Sequence, residues 1–176
     1  SRRLLDRLEQ AARRWASPAA ARRAGFSTTT ARRRPGDALA HYLHAEYRHE
    51  REGARTLDPT RPKSLIYANE RGRPLVLVGV MFAMQRGSRG SSPGGPITRW
   101  HSHLVCVRGD RRGRKPLADG TCANGSTLRQ GSEMIHVWFT RDLRSAFSIS
   151  APERELCRDG LLRGRTCRNP RTGRGM

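Results

Sequence analysis

The longest apolar run in this 176-residue chain extends only from Leu75 to Met84 and is interrupted by Gly79. A helix that crosses a membrane needs about 20 consecutive apolar residues, so the sequence predicts no membrane span. Hydrophobic residues make up 35% of the chain, which indicates one modest domain with a small core. Covalent cross-links would therefore contribute a large share of its stability.

The four cysteines are Cys106, Cys122, Cys157 and Cys167, with spacings of 16 and 10 residues inside the first and second pair. Each pair would close a polar loop rich in Gly and Arg, so the spacing favours two local disulfides. A cysteine zinc site is the alternative, although such sites usually contain C-x-x-C pairs, which this chain lacks. Disulfides persist in oxidising compartments, so we expect an exported or cell-surface protein.

The net charge is +20, from 35 basic residues against 15 acidic ones. All the basic residues except Lys63 and Lys115 are arginines, and they are scattered along the chain rather than gathered in one tract. Clustered cations bind polyanions by releasing counterions, whereas scattered arginines can also reflect coding bias. An acidic macromolecular partner is therefore an open alternative, and nucleic acid is not favoured.

Helical spacing of apolar residues predicts an amphipathic N-terminal helix, followed by a second short helix over 18–24 that begins at Pro18. Strand-like segments cover 64–68, 75–84, 97–107 and 133–140. We therefore predict a mainly β fold with an N-terminal helical segment, arranged as a small β-barrel or sandwich. The predicted regions are a basic helical arm with linker over 1–37, a β-rich domain over 38–157, and a basic C-terminal tail over 158–176.

The histidines carry the most functional information. His101 and His103 form an H-x-H pair, and alternation in a strand places both side chains on one face, about 7 Å apart at the backbone. His136 lies in the next predicted strand, and antiparallel pairing of the two strands would bring its imidazole to the first two. Three converging imidazoles are a normal ligand set for a transition metal.

His41 and Glu133 are the candidates for a fourth ligand, and copper or zinc is the metal expected from these donors. The competing interpretation is that these are ordinary strand histidines with hydrogen bonds to backbone or solvent. His41 and His44 are also one helical turn apart, in a segment that we expect to be a partly helical connector.

The segment from Gly95 to His103 resembles the first half of the cupin signature, G-x5-H-x-H, and the interval from Gly125 to His136 is similar to that of the second cupin motif. This resemblance implies a small β-barrel with a metal bound by His101, His103 and His136. Val107 and Arg108 stand where cupins place a metal-binding Glu, so the carboxylate ligand is unassigned.

A larger part of the chain resembles a group of poorly characterised exported proteins of high-GC actinobacteria. The similarity lies in the segments A-A-R-R-A-G-F, H-Y, L-V-L-V-G-V-M-F, W-H-S-H-L-V-C and E-M-I-H-V-W-F, followed by a late Cys. It implies an exported location, and the recurrence of H-Y beside the other elements ranks His41 above His44 and His49.

The sequence therefore predicts an exported protein that binds a transition metal through a group of histidines in a β-rich domain. The alternative is an Arg-rich accessory subunit that docks on nucleic acid, anionic lipid or a larger complex, with structural histidines. Phosphate-loop and nucleophile-elbow motifs are missing from the sequence, and Glu133 is the one visible acid or base for metal-assisted catalysis. Catalysis is left open.

Overall fold

The computed structural model describes residues 2–28, 39–47, 57–70, 72–85, 88–92, 94–109, 116–123 and 125–168. Within these ranges the protein is mainly β, with helices at its N-terminus, as predicted. The helices are α1 (Arg2–Ala12), α2 (Pro18–Arg23), α3 (Leu143–Ala146), α4 (Glu153–Arg158) and α5 (Arg165–Arg168), with short 3-10 helices at Arg13–Trp15 and Gly95–Ile97. The strands are β1 (Phe26–Thr28), β2 (Leu39–His44), β3 (Ser64–Ala68), β4 (Val76–Ala83), β5 (Leu104–Val107), β6 (Thr127–Gln130) and β7 (Met134–Trp138).

Five strands form one antiparallel sheet in the order β1-β2-β3-β4-β7, and β5 and β6 form a separate two-stranded hairpin. Because β1 and β7 lie at opposite ends of the strand order, the described strands do not close into a barrel. The outer edge of β7 is extended by a single antiparallel bridge between Met134 and His101.

The N-terminal helices pack on one face of the main sheet. Their buried residues share a hydrophobic cluster with the side chains of that face; its largest members are Leu5, Leu8, Trp15, Phe26, Tyr42, Leu65, Tyr67, Phe82, Ile135 and Phe147. Ser17 caps α2 by accepting the Ala20 N–H at 3.2 Å, and Pro18 occupies the first helical turn. Buried residues of 2–23 therefore share one hydrophobic cluster with the strands. The predicted boundaries at 37 and 157 stay predictions.

The opposite face of the sheet is covered at one end by the C-terminal helices. Leu156 and Leu162 form a second cluster there with Ile66, Val78 and Trp138. Burial of these side chains holds the C-terminal segment against β3, β4 and β7. The other end of this face carries the histidines described below.

Both predicted disulfides are present, Cys106 with Cys122 and Cys157 with Cys167. All described cysteines are thereby paired, which leaves none for the alternative zinc site. The first disulfide closes the loop of the β5–β6 hairpin, and the second joins α4 to α5. None of the described helices has the length and apolar character needed to cross a membrane.

Three sequence predictions of local structure differ from the structure. The predicted strand over 97–107 is shorter, because 95–97 form a 3-10 helix and the regular strand begins at Leu104. The segment from His41 to His44 is not a helical connector, because it lies in β2 between β1 and β3. A short helix, α5, lies beyond residue 158, where no regular element was predicted; the tail from 169 and the linker residues 29–38 lie outside the described ranges.

Gly79 marks the closest backbone approach in the main sheet. A Cβ atom there would lie 2.7 Å from the Val137 carbonyl oxygen and 3.2 Å from the Trp138 ring. We expect Gly79→Ala to lower the free energy of unfolding by about 2 kcal/mol, because β4 and β7 would have to separate to admit the methyl group. Urea denaturation measures this loss, and an unchanged midpoint would contradict the close approach.

Candidate metal centre

Four imidazole rings form a connected group on the face of the sheet opposite the N-terminal helices. The ring centroids of His136 and His101 are 5.0 Å apart, and those of His101 and His103 are 5.1 Å apart. The ring of His41, on β2, lies on the same face of the sheet, and its centroid is 5.9 Å from that of His136. We call these four residues the imidazole group.

The curvature of the sheet brings His41 and His136 together. They lie on β2 and β7, which are separated by β3 and β4, so their backbones would be about 14 Å apart in a flat sheet. A centroid separation of 5.9 Å requires the sheet to be concave on this face and both rings to lean inward. The intervening strands present Ser64 and Ile66 from β3 and Gly79 and Met81 from β4 on the same face, and the small size of Ser64 and Gly79 leaves room for the rings.

His101 reaches the group through the bridge at the edge of β7. Its main chain donates to the Met134 carbonyl at 2.9 Å and accepts from the Met134 N–H at 2.7 Å. Both nitrogens of its ring are buried, and neither makes a hydrogen bond of good geometry within the described residues, although the Arg99 main chain lies near enough to favour the protonated ring. Buried polar atoms are normally satisfied, so this ring is the one whose environment most needs an additional partner.

His136 is held in one tautomer by the segment after α3. Its Nδ1 lies 2.9 Å from the Ile149 carbonyl oxygen. A carbonyl oxygen can only accept, so Nδ1 carries the proton and the lone pair of Nε2 is left free. Metal-binding histidines commonly donate their second nitrogen to a carbonyl in this way, which fixes the ring and the donor atom.

Burial favours the neutral form of His41, His101 and His136. It lowers the pKa of His41, and it lowers the pKa of His101 despite the nearby Arg99 carbonyl, with a smaller lowering from His103. The pKa of His136 is lowered to about 4, mainly by burial and to a smaller extent by the three neighbouring imidazoles, while the hydrogen bond to the Ile149 carbonyl opposes the shift. Neutral imidazole is the form that binds metals.

His103 is the exposed member of the group. It precedes β5, and its carbonyl accepts the Gly131 N–H at 2.9 Å at the open end of the β5–β6 hairpin. The group therefore has a buried side formed by His101, His136 and His41 and a solvent side formed by His103.

Glu133 is not brought to the imidazole group. Its carboxylate accepts the Gly90 N–H at 3.0 Å, and its carbonyl accepts the Met84 N–H at 2.8 Å. These bonds tie the loop around Gly90 to the start of β7. Glu133 thus helps to position that loop, and no described contact joins its carboxylate to an imidazole.

His44 lies on the opposite face of β2 from His41, where its ring is buried and fully bonded. Its Nε2 donates to the Ala24 carbonyl at 2.8 Å, and its Nδ1 accepts from the Glu46 and Tyr47 N–H groups at 3.2 and 3.3 Å. The same ring stacks on Tyr47 at 3.5 Å. His44 is therefore a structural residue, and His49 lies outside the described ranges.

The donor atoms of the imidazole group do not converge on one point. Among the described residues, no set of three or more His, Cys, Asp or Glu side chains has the arrangement of a metal site. The rings are adjacent, but imidazole rotation about χ1 and χ2 would be needed to direct their nitrogens to a common centre. Ser64, whose hydroxyl lies 3.5 Å from Nδ1 of His41, is the described polar neighbour on that side.

Three residues next to the rings, Ile149, Ser64 and Gly79, could not be identified from the sequence. The Ile149 carbonyl belongs to the main chain, so its role depends only on where the C-terminal segment lies. The positions of Ser64 and Gly79 beneath the rings follow from the sheet register, which a sequence alone does not fix. No protein-family model, curated protein or solved structure matches this chain, so the imidazole group must be interpreted from its own geometry.

Proposed function

We propose that this protein binds one transition-metal ion, copper or zinc, through His101, His103 and His136, with His41 as the fourth ligand. The proposal depends above all on His101, whose buried ring has no well-formed hydrogen bond in the described chain and lies 5.0 Å, centroid to centroid, from the ring of His136. A bound cation would coordinate one nitrogen of His101 and Nε2 of His136, and the second His101 nitrogen would keep its proton.

Ring spacing supports the proposal. With a metal–nitrogen bond of about 2.0–2.1 Å, adjacent imidazole centroids in a tetrahedral site lie roughly 5 Å apart. The separations between successive rings in the order His103, His101, His136 and His41 are 5.1, 5.0 and 5.9 Å, which are close to this value. A tetrahedral site would bring all six ring pairs to it, so side-chain rotation about χ1 and χ2 has to supply the other three.

The other parts of the proposal are location and fold relationship. We propose that the protein works in an oxidising, extracytoplasmic compartment, which the two disulfides support. The three ligands named by the cupin resemblance are retained, whereas Glu133 is not included because its carboxylate is bonded to the Gly90 loop. The cupin-like barrel and the relation to exported actinobacterial proteins stay predictions.

Elemental analysis of untagged protein tests the proposal. We expect about one copper or zinc ion per chain. Titration of Cu²⁺ into metal-free protein should quench tryptophan fluorescence, because the Trp138 ring lies 5.3 Å from that of His136. Absence of metal and of quenching, together with salt-sensitive binding to a polyanion, would reject metal binding and favour the docking alternative.

A further inference from the structure

Two methionine side chains flank the imidazole group. Met81 on β4 lies directly opposite His136 in the sheet register, so the two side chains share a face. Met134 precedes His136 by two residues on β7 and therefore also projects from that face; it is the residue that bridges to His101. Both methionines are half-buried.

Their reach is sufficient for them to join the ligand set. Side chains directly opposite each other in an antiparallel pair have Cβ atoms about 4.5–5.5 Å apart. Methionine is unbranched and flexible, so its sulfur can adjust to a nearby centre. Met81 also packs against the cluster of Ile66 and Trp138, which lies on the same face of the sheet and accounts for part of its burial.

The type of donor atom next to His136 favours one class of metal ion over another. The side chains beside His136 are imidazoles, and the carboxylate of Glu133 is bonded to the Gly90 N–H. Imidazole and thioether together form a neutral, comparatively soft donor set. Thioether ligands select Cu(I), whereas carboxylates and water suit harder divalent ions.

We propose, resting on the metal-binding function above, that Met81 and Met134 supply thioether ligands to Cu(I) in place of His41 and His103, so that this ion is four-coordinate with His101 and His136 and is selected over Zn²⁺. The imidazole group alone would accept either metal. The two sulfurs add affinity for Cu(I) and add little for Zn²⁺, so they are the residues that determine specificity.

Competition titrations on the full chain test this inference. Cu(I), supplied as copper reduced by ascorbate, is competed with a Cu(I)-specific chelator, and Zn²⁺ is competed with a zinc chelator. We expect Met81→Leu and Met134→Leu each to weaken Cu(I) binding at least tenfold and to leave Zn²⁺ binding within about twofold. Leucine conserves volume, so the fold should be retained.

Met84→Leu is the matched control. Met84 follows β4, is buried, and projects from the face that packs on the N-terminal helices, so its replacement should change neither affinity. X-ray absorption of the Cu(I)-loaded protein should show a sulfur neighbour that is lost in the double variant. Equal Cu(I) affinity in all variants, with metal still bound, would overturn the selectivity. Failure of both Cu(I) and Zn²⁺ to bind would instead reject the proposed metal centre.

Discussion

Replacement of His136 by Ala is expected to weaken zinc or copper binding at least 100-fold. His136 is the central member of the imidazole group, since its ring neighbours those of both His41 and His101. Its Nε2 is also the one nitrogen whose free lone pair is fixed by a hydrogen bond on the other side of the ring. Its loss removes a prearranged ligand and separates His41 from the other two. Competition with a chromophoric zinc chelator measures the change.

Two further variants separate ligand loss from unfolding. His136→Gln can still donate to the Ile149 carbonyl, so it should keep the fold while it loses the imidazole donor. His44→Gln should destabilise the fold and leave the imidazole ligands intact, because His44 makes three hydrogen bonds to the main chain and has no described contact with the imidazole group. We expect the His44 variant to lose stability and retain its metal. Undiminished affinity in both His136 variants would contradict its role as a ligand.

Sequence patterns correctly predicted that the imidazoles of His101, His103 and His136 lie near one another. The strand pairing expected to place them there was only partly correct. Alternation along 133–140 correctly separates His136 from Ile135 and Val137. The expected antiparallel pairing of the two segments is present but is limited to the bridge of Met134 with His101, because β7 pairs regularly with β4. A single bridge is enough to place the rings of His101 and His136 side by side.

The choice among the histidines of the segment 41–49 shows why local patterns are limited. If the segment were helical, His41 and His44 would lie on one face, whereas in a strand they lie on opposite faces. The segment is a strand because β2 pairs with β1 and β3. This pairing places His41 in the imidazole group and His44 in the core. The spacing of the two histidines alone supports both outcomes.

The parts that could not be predicted depend on contacts between distant segments. The ring of His41 on β2 approaches that of His136 on β7 across two intervening strands, and no residue pattern specifies this approach. The carbonyls of Ser148 and Ile149 accept from Trp138 and His136 at 2.9 Å each, which attaches the segment after α3 to β7. Main-chain acceptors have no side-chain signature, so only the folded arrangement identifies them.

The C-terminal segment therefore has two functions in the proposed centre. Its helices bury Trp138 and Ile66, and the turn before them fixes the tautomer of His136. The disulfide between Cys157 and Cys167 constrains this segment, while that between Cys106 and Cys122 constrains the hairpin beyond His103. A small core and two covalent links thus hold the two sides of the imidazole group in place.

Metal-free protein is expected to lose stability as the pH falls from about 6.5 to about 4. The pKa of His136 is lowered from 6.5 to about 4 in the folded protein, mainly by burial. Between these values the unfolded chain binds a proton that the folded chain does not, so acid favours unfolding. The stabilisation is complete above pH 6.5 and is lost below pH 4. At about 1.4 kcal/mol per pKa unit, its upper limit is about 3 kcal/mol, reduced by the partial solvent access of the ring.

His41 and His101 add to this loss in the same direction, because their pKa values are also lowered by burial. The carboxylates of Asp142 and Asp159 act in a lower range, because their pKa values lie below 3.8 and their stabilisation is lost only in stronger acid. Urea unfolding with a chelator present, at intervals from pH 7.5 to 4.5, therefore isolates the histidines. His136→Gln should be less sensitive to pH than the unaltered protein over this range. Parallel stability curves for the two proteins would show that His136 is not held neutral by its surroundings, and the prearranged Nε2 donor would then lose its physical basis.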